Sequence, residues 1–183
     1  LSAQDITALK MRTEGWIAGL QLAALSIQGF ERSSDIAEFV NKFTGSDRYI
    51  QDYLADEVLQ QRPKGTADFL LQTSILARLS APLCDAVTEQ QNSQAILESL
   101  ETANLFIVPL DNERHWFRYH HLFADLLSHR LNQTYRKEIP ELHRRASVWY
   151  ESEGYIHDAI RHANAASDMK RVVDILEDHW QDI

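Results

Sequence analysis

Leu105-Phe106-Ile107-Val108, Asp111-Asn112, Trp116-Phe117-Arg118-Tyr119 and His120-His121-Leu122-Phe123-Ala124-Asp125-Leu126-Leu127 follow one another in a stretch that decides the fold. Two β-prone tetrapeptides flank an Asp-Asn turn, which predicts a hairpin. Strand alternation places His115, Phe117 and Tyr119 on one face and Arg114, Trp116 and Arg118 on the other. The apolar residues beyond, extended by Leu131, recur at helical spacing and predict a helix directly after the hairpin. Upstream, Thr66, Ser80 and Ser93 each precede a short helical run, where a side-chain oxygen satisfies an orphan backbone N–H. Pro82 falls in the first turn of its run, where a missing donor costs little. Three short helices, a hairpin and an adjoining helix predict a winged-helix domain over residues 64–133.

Residues 1–63 predict a helical arm. Ser2 and Asp5 have the spacing of a capping box. After Thr13, residues Trp16, Leu20, Ala23, Ala24 and Ile27 share one helix face, and Gly29 is the expected stop. Ala18 and Gly19 are small enough to admit a neighbouring backbone. Ser34 is expected to cap a helix holding Ile36, Phe39, Val40 and Phe43, broken by Thr44-Gly45-Ser46. A further run from Asp47 to Arg62 carries Ile50, Tyr53, Leu54 and Val58 on one stripe, and Pro63-Lys64-Gly65 ends it. Residues 134–183 return to helices: one from Pro140 to Glu153 ended by Gly154, one from Tyr155 to Ala166, and one after Ser167. Tyr150, Gly154, Ala159 and Ala166 match four consensus positions of a tetratricopeptide repeat (TPR), so this region reads as the start of a helical-repeat array. The predicted class is mainly α: a helical arm, a winged-helix domain with one β-hairpin, and a TPR-like helical hairpin.

Of the 183 residues, 44% are hydrophobic and 25% charged, the balance of a folded globular chain. No apolar run approaches the ~18 residues a membrane span needs, so no membrane partner is expected. A single cysteine, Cys84, fits a reducing compartment, and a cytoplasmic location is expected. The chain opens on Leu1 and reads as a piece of something longer. Its net charge of −9 opposes binding to phosphate backbones, and only residues 113–145 carry an excess of positive charge. The third helix of a winged helix normally enters the DNA major groove. Here the corresponding run, Gln94 to Ala103, carries Glu98 and Glu101 and neither Lys nor Arg, so no direct nucleic-acid contact is expected. Trp116, Phe117 and Tyr119 beside Arg114 and Arg118 could stack on bases, but hairpin core with solvated arginines is the preferred reading.

Motifs for catalysis and metal binding are missing from the sequence. There is no Gly-x4-Gly-Lys-Ser/Thr or Gly-x-Gly-x-x-Gly loop, no His-Glu-x-x-His and no paired Cys-x-x-Cys. Catalytic residues and a metal centre are therefore not expected. His120 and His121, as neighbours, are expected to point apart, and His157 and His162 miss the i, i+4 spacing that stacks ligands on a helix. Cys84 reads as a buried small apolar residue.

Three ordered motifs carry a family resemblance across nearly the whole chain. They are Thr13-Glu14-Gly15-Trp16-Ile17-Ala18-Gly19-Leu20-Gln21-Leu22-Ala23, Phe43-Thr44-Gly45-Ser46-Asp47-Arg48-Tyr49 and Arg118-Tyr119-His120-His121-Leu122-Phe123-Ala124-Asp125-Leu126-Leu127. Together they resemble the large ATP-dependent LuxR-type bacterial transcriptional activators, which belong to the STAND class of signalling ATPases. The resemblance implies a parent with an upstream P-loop ATPase domain, this arm and winged helix, a downstream helical-repeat sensor and a C-terminal DNA-binding domain. It implies ADP and ATP as ligands of the parent, self-oligomerisation on activation, and no catalysis in this segment alone. His120 falls in the slot of a Met-His-Asp motif whose histidine reaches the phosphates of ADP, with His121 standing where that motif has Asp. Gln21 stands where a Gly-Leu-Pro-Leu-Ala motif has the proline that packs near adenine. A stand-alone winged-helix DNA-binding protein and a helical-repeat protein–protein adaptor are the alternatives.

Overall fold

The computed structural model describes residues 2–27, 32–43, 64–103 and 106–180. Its described residues are mostly helical with one antiparallel hairpin, as the sequence predicts. The expected stop at Gly29, the break at 44–46, the run from Asp47 to Arg62 and the first residue of the predicted strand lie outside the described residues. The chain forms two compact units.

The first unit combines residues 1–63 with His120–His129. Helix α1 (Ala3–Thr13) opens on the predicted capping box: Ser2 Oγ accepts from Asp5 N at 3.1 Å, and the Asp5 carboxylate accepts from Ser2 N at 2.7 Å. These hydrogen bonds hold the Asp5 carboxyl below its ordinary pKa. α1 ends where Glu14 (φ 48°) and Gly15 (φ 80°) adopt successive left-handed conformations and turn the chain into α2 (Ile17–Ile27). Glycine takes that backbone freely, whereas an L side chain pays about 1–2 kcal/mol for it, so Glu14 is held there at a cost. Helix α3 (Ser33–Lys42) packs on α1, and Arg12 Nη1 donates to the Phe43 carbonyl at 3.1 Å. Its N-cap is Arg32, so Ser34 lies inside the first turn instead of capping it. Leu9, Ala23, Ile27, Val40 and Phe43 are buried. Gly19, expected to admit a neighbouring backbone, is instead covered by the indole of Trp16.

The second unit combines Lys64–Tyr119 with Arg130–Ile183. It begins with α4 (Lys64–Thr73), α5 (Ala81–Thr88) and α6 (Ser93–Thr102). Ser80 holds the N-cap position of α5, with Pro82 in the first turn, but its hydroxyl makes no capping bond, contrary to the expectation that it would satisfy an orphan N–H. Thr66 already lies within α4, and Asn92 caps α6 in place of Ser93. The first free N–H of α6, on Ser93, donates instead to Asp85 of α5 at 3.1 Å, so a carboxylate from the neighbouring helix does the capping.

Strands β1 (Ile107–Pro109) and β2 (Phe117–Tyr119) pair antiparallel with Ile107 opposite Tyr119 and Pro109 opposite Phe117. Leu79 pairs with the other edge of β2 through reciprocal bonds to Phe117 of 2.7 and 2.8 Å. The Asp111 carboxylate closes the hairpin loop by accepting from the backbone N–H of His115 (2.9 Å) and Trp116 (2.8 Å). Phe117 and Tyr119 are buried and Arg118 is not, which is the predicted alternation. Phe69, Leu70, Leu79, Leu83, Leu97 and Leu100 are also buried. Each such side chain contributes roughly 1.5–3 kcal/mol of transfer free energy. Within this apolar region the Tyr119 hydroxyl is hydrogen-bonded to Thr73 Oγ1 at 2.7 Å. Cys84 is fully buried and its thiol is pushed up by that burial, as expected of an inert packing residue.

Helix α7 (His121–Thr134) follows the hairpin directly, with Leu122, Phe123, Leu126, Leu127 and Leu131 buried. α8 (Ile139–Ser152) and α9 (Ile156–Ala165) form a helical hairpin around Gly154 (φ 79°), and α10 (Met169–Asp178) packs on α9. Small buried residues let these helices approach closely: Ala146 on α8, Ala159 and Ala163 on α9. Ser147 ties all three together, donating to the Ala159 carbonyl and accepting from Arg171 Nε, each at 2.8 Å. α8 also packs on α5, where Arg145 reaches the Val87 carbonyl (3.2 Å) and Glu89 (2.9 Å). The Arg78 guanidinium lies 4.3 Å from the ring centroid of Trp116 and 4.8 Å from that of Tyr155, and pairs with Asp158 at 3.4 Å. Trp116 is therefore spent on packing within this unit, not displayed for stacking on bases.

Candidate functional site

The turn between α1 and α2 assembles the site. Thr13, the last residue of α1, is fully buried, and its hydroxyl donates to the Leu9 carbonyl at 2.9 Å. Its own carbonyl accepts twice: from Trp16 N at 2.7 Å and from His120 Nε2 at 2.9 Å. That second bond requires the proton of His120 on Nε2. His120 is 7% exposed, and the Trp16 ring meets it edge-on at 6.1 Å. The indole is seated in turn because residue 19 is glycine: a Cβ there would fall 2.3 Å from Trp16 Cε3. The Thr-Glu-Gly-Trp-x-x-Gly motif is thus a cradle for one histidine. Thr13 supplies the acceptor, Glu14-Gly15 the reversal, Trp16 the wall and Gly19 the space behind it.

Glu14 adds charge. Its Oε1 lies 2.9 Å from His121 Nδ1, and its Oε2 lies 4.0 Å from His120 Nε2. The expectation that His120 and His121 point apart is wrong. Their rings stack at 4.8 Å with only 19° between planes. His120 precedes α7 and supplies the carbonyl that accepts from Ala124 N, while His121 is the first helical residue, so neither has a regular strand or helix neighbour's divergence. Among the described residues, Glu14, His120 and His121 form a group of three metal-type ligand atoms all within 4.8 Å of one another.

Of the two binding residues predicted from sequence, His120 sits at the centre of this arrangement. Gln21 lies exposed on α2 and takes no part in it. Thr13, Glu14 and Trp16 were legible only as parts of a motif. The readable signal was Gly15, a left-handed stop that forces the residues on either side of it to converge.

On α6, Glu101 is engaged by Arg114 at 2.8 Å and Glu98 by Gln94 at 2.7 Å, and no Lys or Arg lies on the helix itself. No described helix is long and apolar enough to cross a membrane.

Known proteins are similar to this chain along nearly its whole length. Residues 55–139 match the family described as the MalT winged helix domain. The serine/threonine-protein kinase PknK of Mycobacterium tuberculosis is 37% identical over 177 residues, covering 97% of this chain and 16% of that protein. The HTH-type transcriptional regulator MalT of Klebsiella pneumoniae is 37% identical over 180 residues, 98% of this chain and 20% of that protein. MalT of Vibrio parahaemolyticus is 35% identical over 172 residues, 93% of this chain and 19% of that protein. The chain spans about a fifth or less of the length of these relatives. It is a MalT-like segment, and its residues 55–139 match the MalT winged helix domain family.

Proposed function

We propose that this chain is the regulatory segment of a larger ATP-dependent signalling protein, that it performs no catalysis itself, and that His120 reports the nucleotide state of the parent. The observation that carries this reading is the cradle around His120. A buried imidazole held by a backbone carbonyl, an indole edge and a neighbouring carboxylate is an expensive arrangement for mere packing. The relatives support a regulatory role. Nearly the same segment occurs in a protein named a kinase and in one named a transcriptional regulator, so what it supplies is common to two different outputs.

The mechanism is a shift between two states. In one state, His120 Nε2–H is donated to the Thr13 carbonyl, and Glu14 sits beside the imidazole pair. A phosphate oxygen of ADP, delivered by an ATPase domain of the parent, would take that proton donor and compete with the Glu14 carboxylate for the two rings. The ligand moves the equilibrium only as far as its contacts differ between the states, and an exchanged hydrogen bond to a buried histidine is such a difference. An upstream ATPase domain, a downstream sensor, self-oligomerisation on activation and a cytoplasmic, TPR-like setting complete the proposal. On α10, Met169, Val173 and Leu176 are exposed along one stripe, an apolar face suited to a following helix of such a sensor.

The test uses the intact parent. His120→Ala should speed ADP release and raise basal output, while Glu14→Gln should slow ADP release. An ADP off-rate unchanged in His120→Ala removes His120 from the mechanism. Fluorescence anisotropy with duplex DNA should show no steep salt-dependent binding by this segment; tight binding that falls with salt would favour a DNA-binding role instead.

A further inference from the structure

We propose that His143 and His162 form a proton-sensitive latch between α8 and α9, closed while both imidazoles are neutral and released when His143 takes up a proton. The proposal stands apart from the nucleotide reading and needs no part of it. The two Nδ1 atoms lie 2.8 Å apart, a hydrogen bond with one proton between them. Arg161 decides which ring carries that proton. Its Nη2 reaches His162 Nε2 at 3.4 Å, and a guanidinium only donates, so Nε2 accepts. The neutral His162 ring therefore carries its proton on Nδ1 and donates it to His143 Nδ1. His143, as the acceptor, carries its own proton on Nε2. The same Nη2 donates to Asp158 Oδ1 at 2.6 Å, and Arg78 donates to Asp158 Oδ2 at 3.4 Å. One chain of donors and acceptors thus runs from Arg78 through Asp158, Arg161 and His162 to His143.

This order leaves no place for a further proton. On His143 it would sit on Nδ1, hydrogen against hydrogen with His162. His162 could answer only by moving its own proton to Nε2, directly against the Arg161 guanidinium. The two rings differ in freedom. His162 is buried and stacks on Tyr150 at 5.3 Å, so it stays in place. His143 is half-buried, and a charged imidazole there gains by turning to water. The charges acting on His162 besides His143 are Arg161 and Asp158, and Arg161 is the one acting on His143. On the packed elements, Glu89 after α5 holds Arg145, Arg171 of α10 holds Glu151, and Glu141 holds Arg144. Burial first, then Arg161, keeps the His143 pKa below its ordinary value. The closed state thus binds fewer protons than the open one, so closure weakens as the pH falls below about 6.5. Opening takes the acceptor from the buried His162 N–H and loosens α9, with α10 packed on it, from α8.

The test is nitrogen NMR of the imidazoles combined with amide hydrogen exchange on the whole chain, from about pH 7.5 to about pH 5. At the upper end His162 should be the Nδ1–H tautomer and His143 the Nε2–H tautomer. On acidification His143 should titrate first. Amide protection at Ala159 and Ala163, corrected for intrinsic exchange, should then fall roughly three- to tenfold, the worth of one hydrogen bond. Leu97 of α6 should keep its protection. His143→Gln, which cannot titrate, should hold α9 protection level across the range, and Arg161→Gln should move the release to higher pH. Far-UV circular dichroism establishes that each variant keeps its helices. An Nε2–H tautomer on His162 at neutral pH overturns the proposal, as does α9 protection that is unchanged by pH or falls equally in His143→Gln.

Discussion

Replacing Gly19 by alanine pits helix propensity against packing. In an ordinary helix interior, glycine to alanine gains about 1 kcal/mol. At this position the new Cβ would lie 2.3 Å from Trp16 Cε3 and 2.9 Å from Cζ3, and both atoms belong to a rigid ring. Relieving that overlap means rotating the indole out of its seat and losing its edge contact with His120, 6.1 Å away between centroids. Overpacking of this kind costs about 1–3 kcal/mol, and so close an approach belongs at the upper end. The net expectation is a loss of about 1–2 kcal/mol, which lowers the melting temperature by about 4 °C for a chain of this length. In a Trp16→Ala background the obstacle is gone, and the same substitution should stabilise by about 1 kcal/mol. Urea denaturation followed by circular dichroism on the four members of this cycle gives a coupling energy of about 2 kcal/mol or more. If Gly19→Ala stabilises the native background, the indole does not need the space and the account of the motif as a cradle fails.

Three further expectations follow from the second unit. His162 is 2% exposed, with its Nδ1 2.8 Å from that of His143; burial first, then His143 and Arg161, push its pKa down to about 4 against the opposing pull of Asp158. A histidine with a lowered folded pKa binds fewer protons folded than unfolded between that value and about 6.5. Stability should therefore fall as the pH drops through this window, by up to about 3 kcal/mol. Thermal melts of His162→Gln should show a flatter pH profile over the same range, and an unchanged profile would exclude this pair as its source. Thr73→Val removes the hydrogen bond to the buried Tyr119 hydroxyl and should cost about 1–3 kcal/mol, whereas Thr73→Val with Tyr119→Phe should recover part of it; equal losses in both would refute the pairing. Arg78→Ala removes two ring contacts and an ion pair, with an expected loss of about 1–2 kcal/mol in urea denaturation. Arg78→Lys should recover only part of that, since a compact ammonium lacks the planar, delocalised guanidinium that reaches both rings.

Much of the fold was legible because its signals are local. The capping box at Ser2, the Pro82 turn, the Asp111 hairpin and the Gly154 reversal depend on residues within five positions of one another, and each formed as read. The failures came where a group other than the expected one took over the job. Ser93 was expected to cap α6, but Asp85, eight residues back, holds that N–H. Gly19 was expected to face a backbone, and a side chain from its own turn covers it. The site was half legible. His120 could be singled out by its motif, but its partners Thr13 and Glu14 lie more than a hundred residues earlier, and periodicity carries no information at that range. Divergence of His120 and His121 was a fair rule for regular structure; it fails where an extended residue meets the first residue of a helix.

The arginine between Trp116 and Tyr155 has a mechanical consequence. With Arg145 on Val87 and Glu89, it fastens the β-hairpin and α5 to the α8–α9 pair at two separated points. Two fixings remove the rotation that a single one would permit. The region from Lys64 to Tyr119 and the α8–α10 stack thus behave as one stiff lever, with the apolar stripe of α10 as a handle. A push on α10 is transmitted to β2, whose last residue is Tyr119, instead of being absorbed by a pliant joint. Loosening either fixing should turn that transmission into slack.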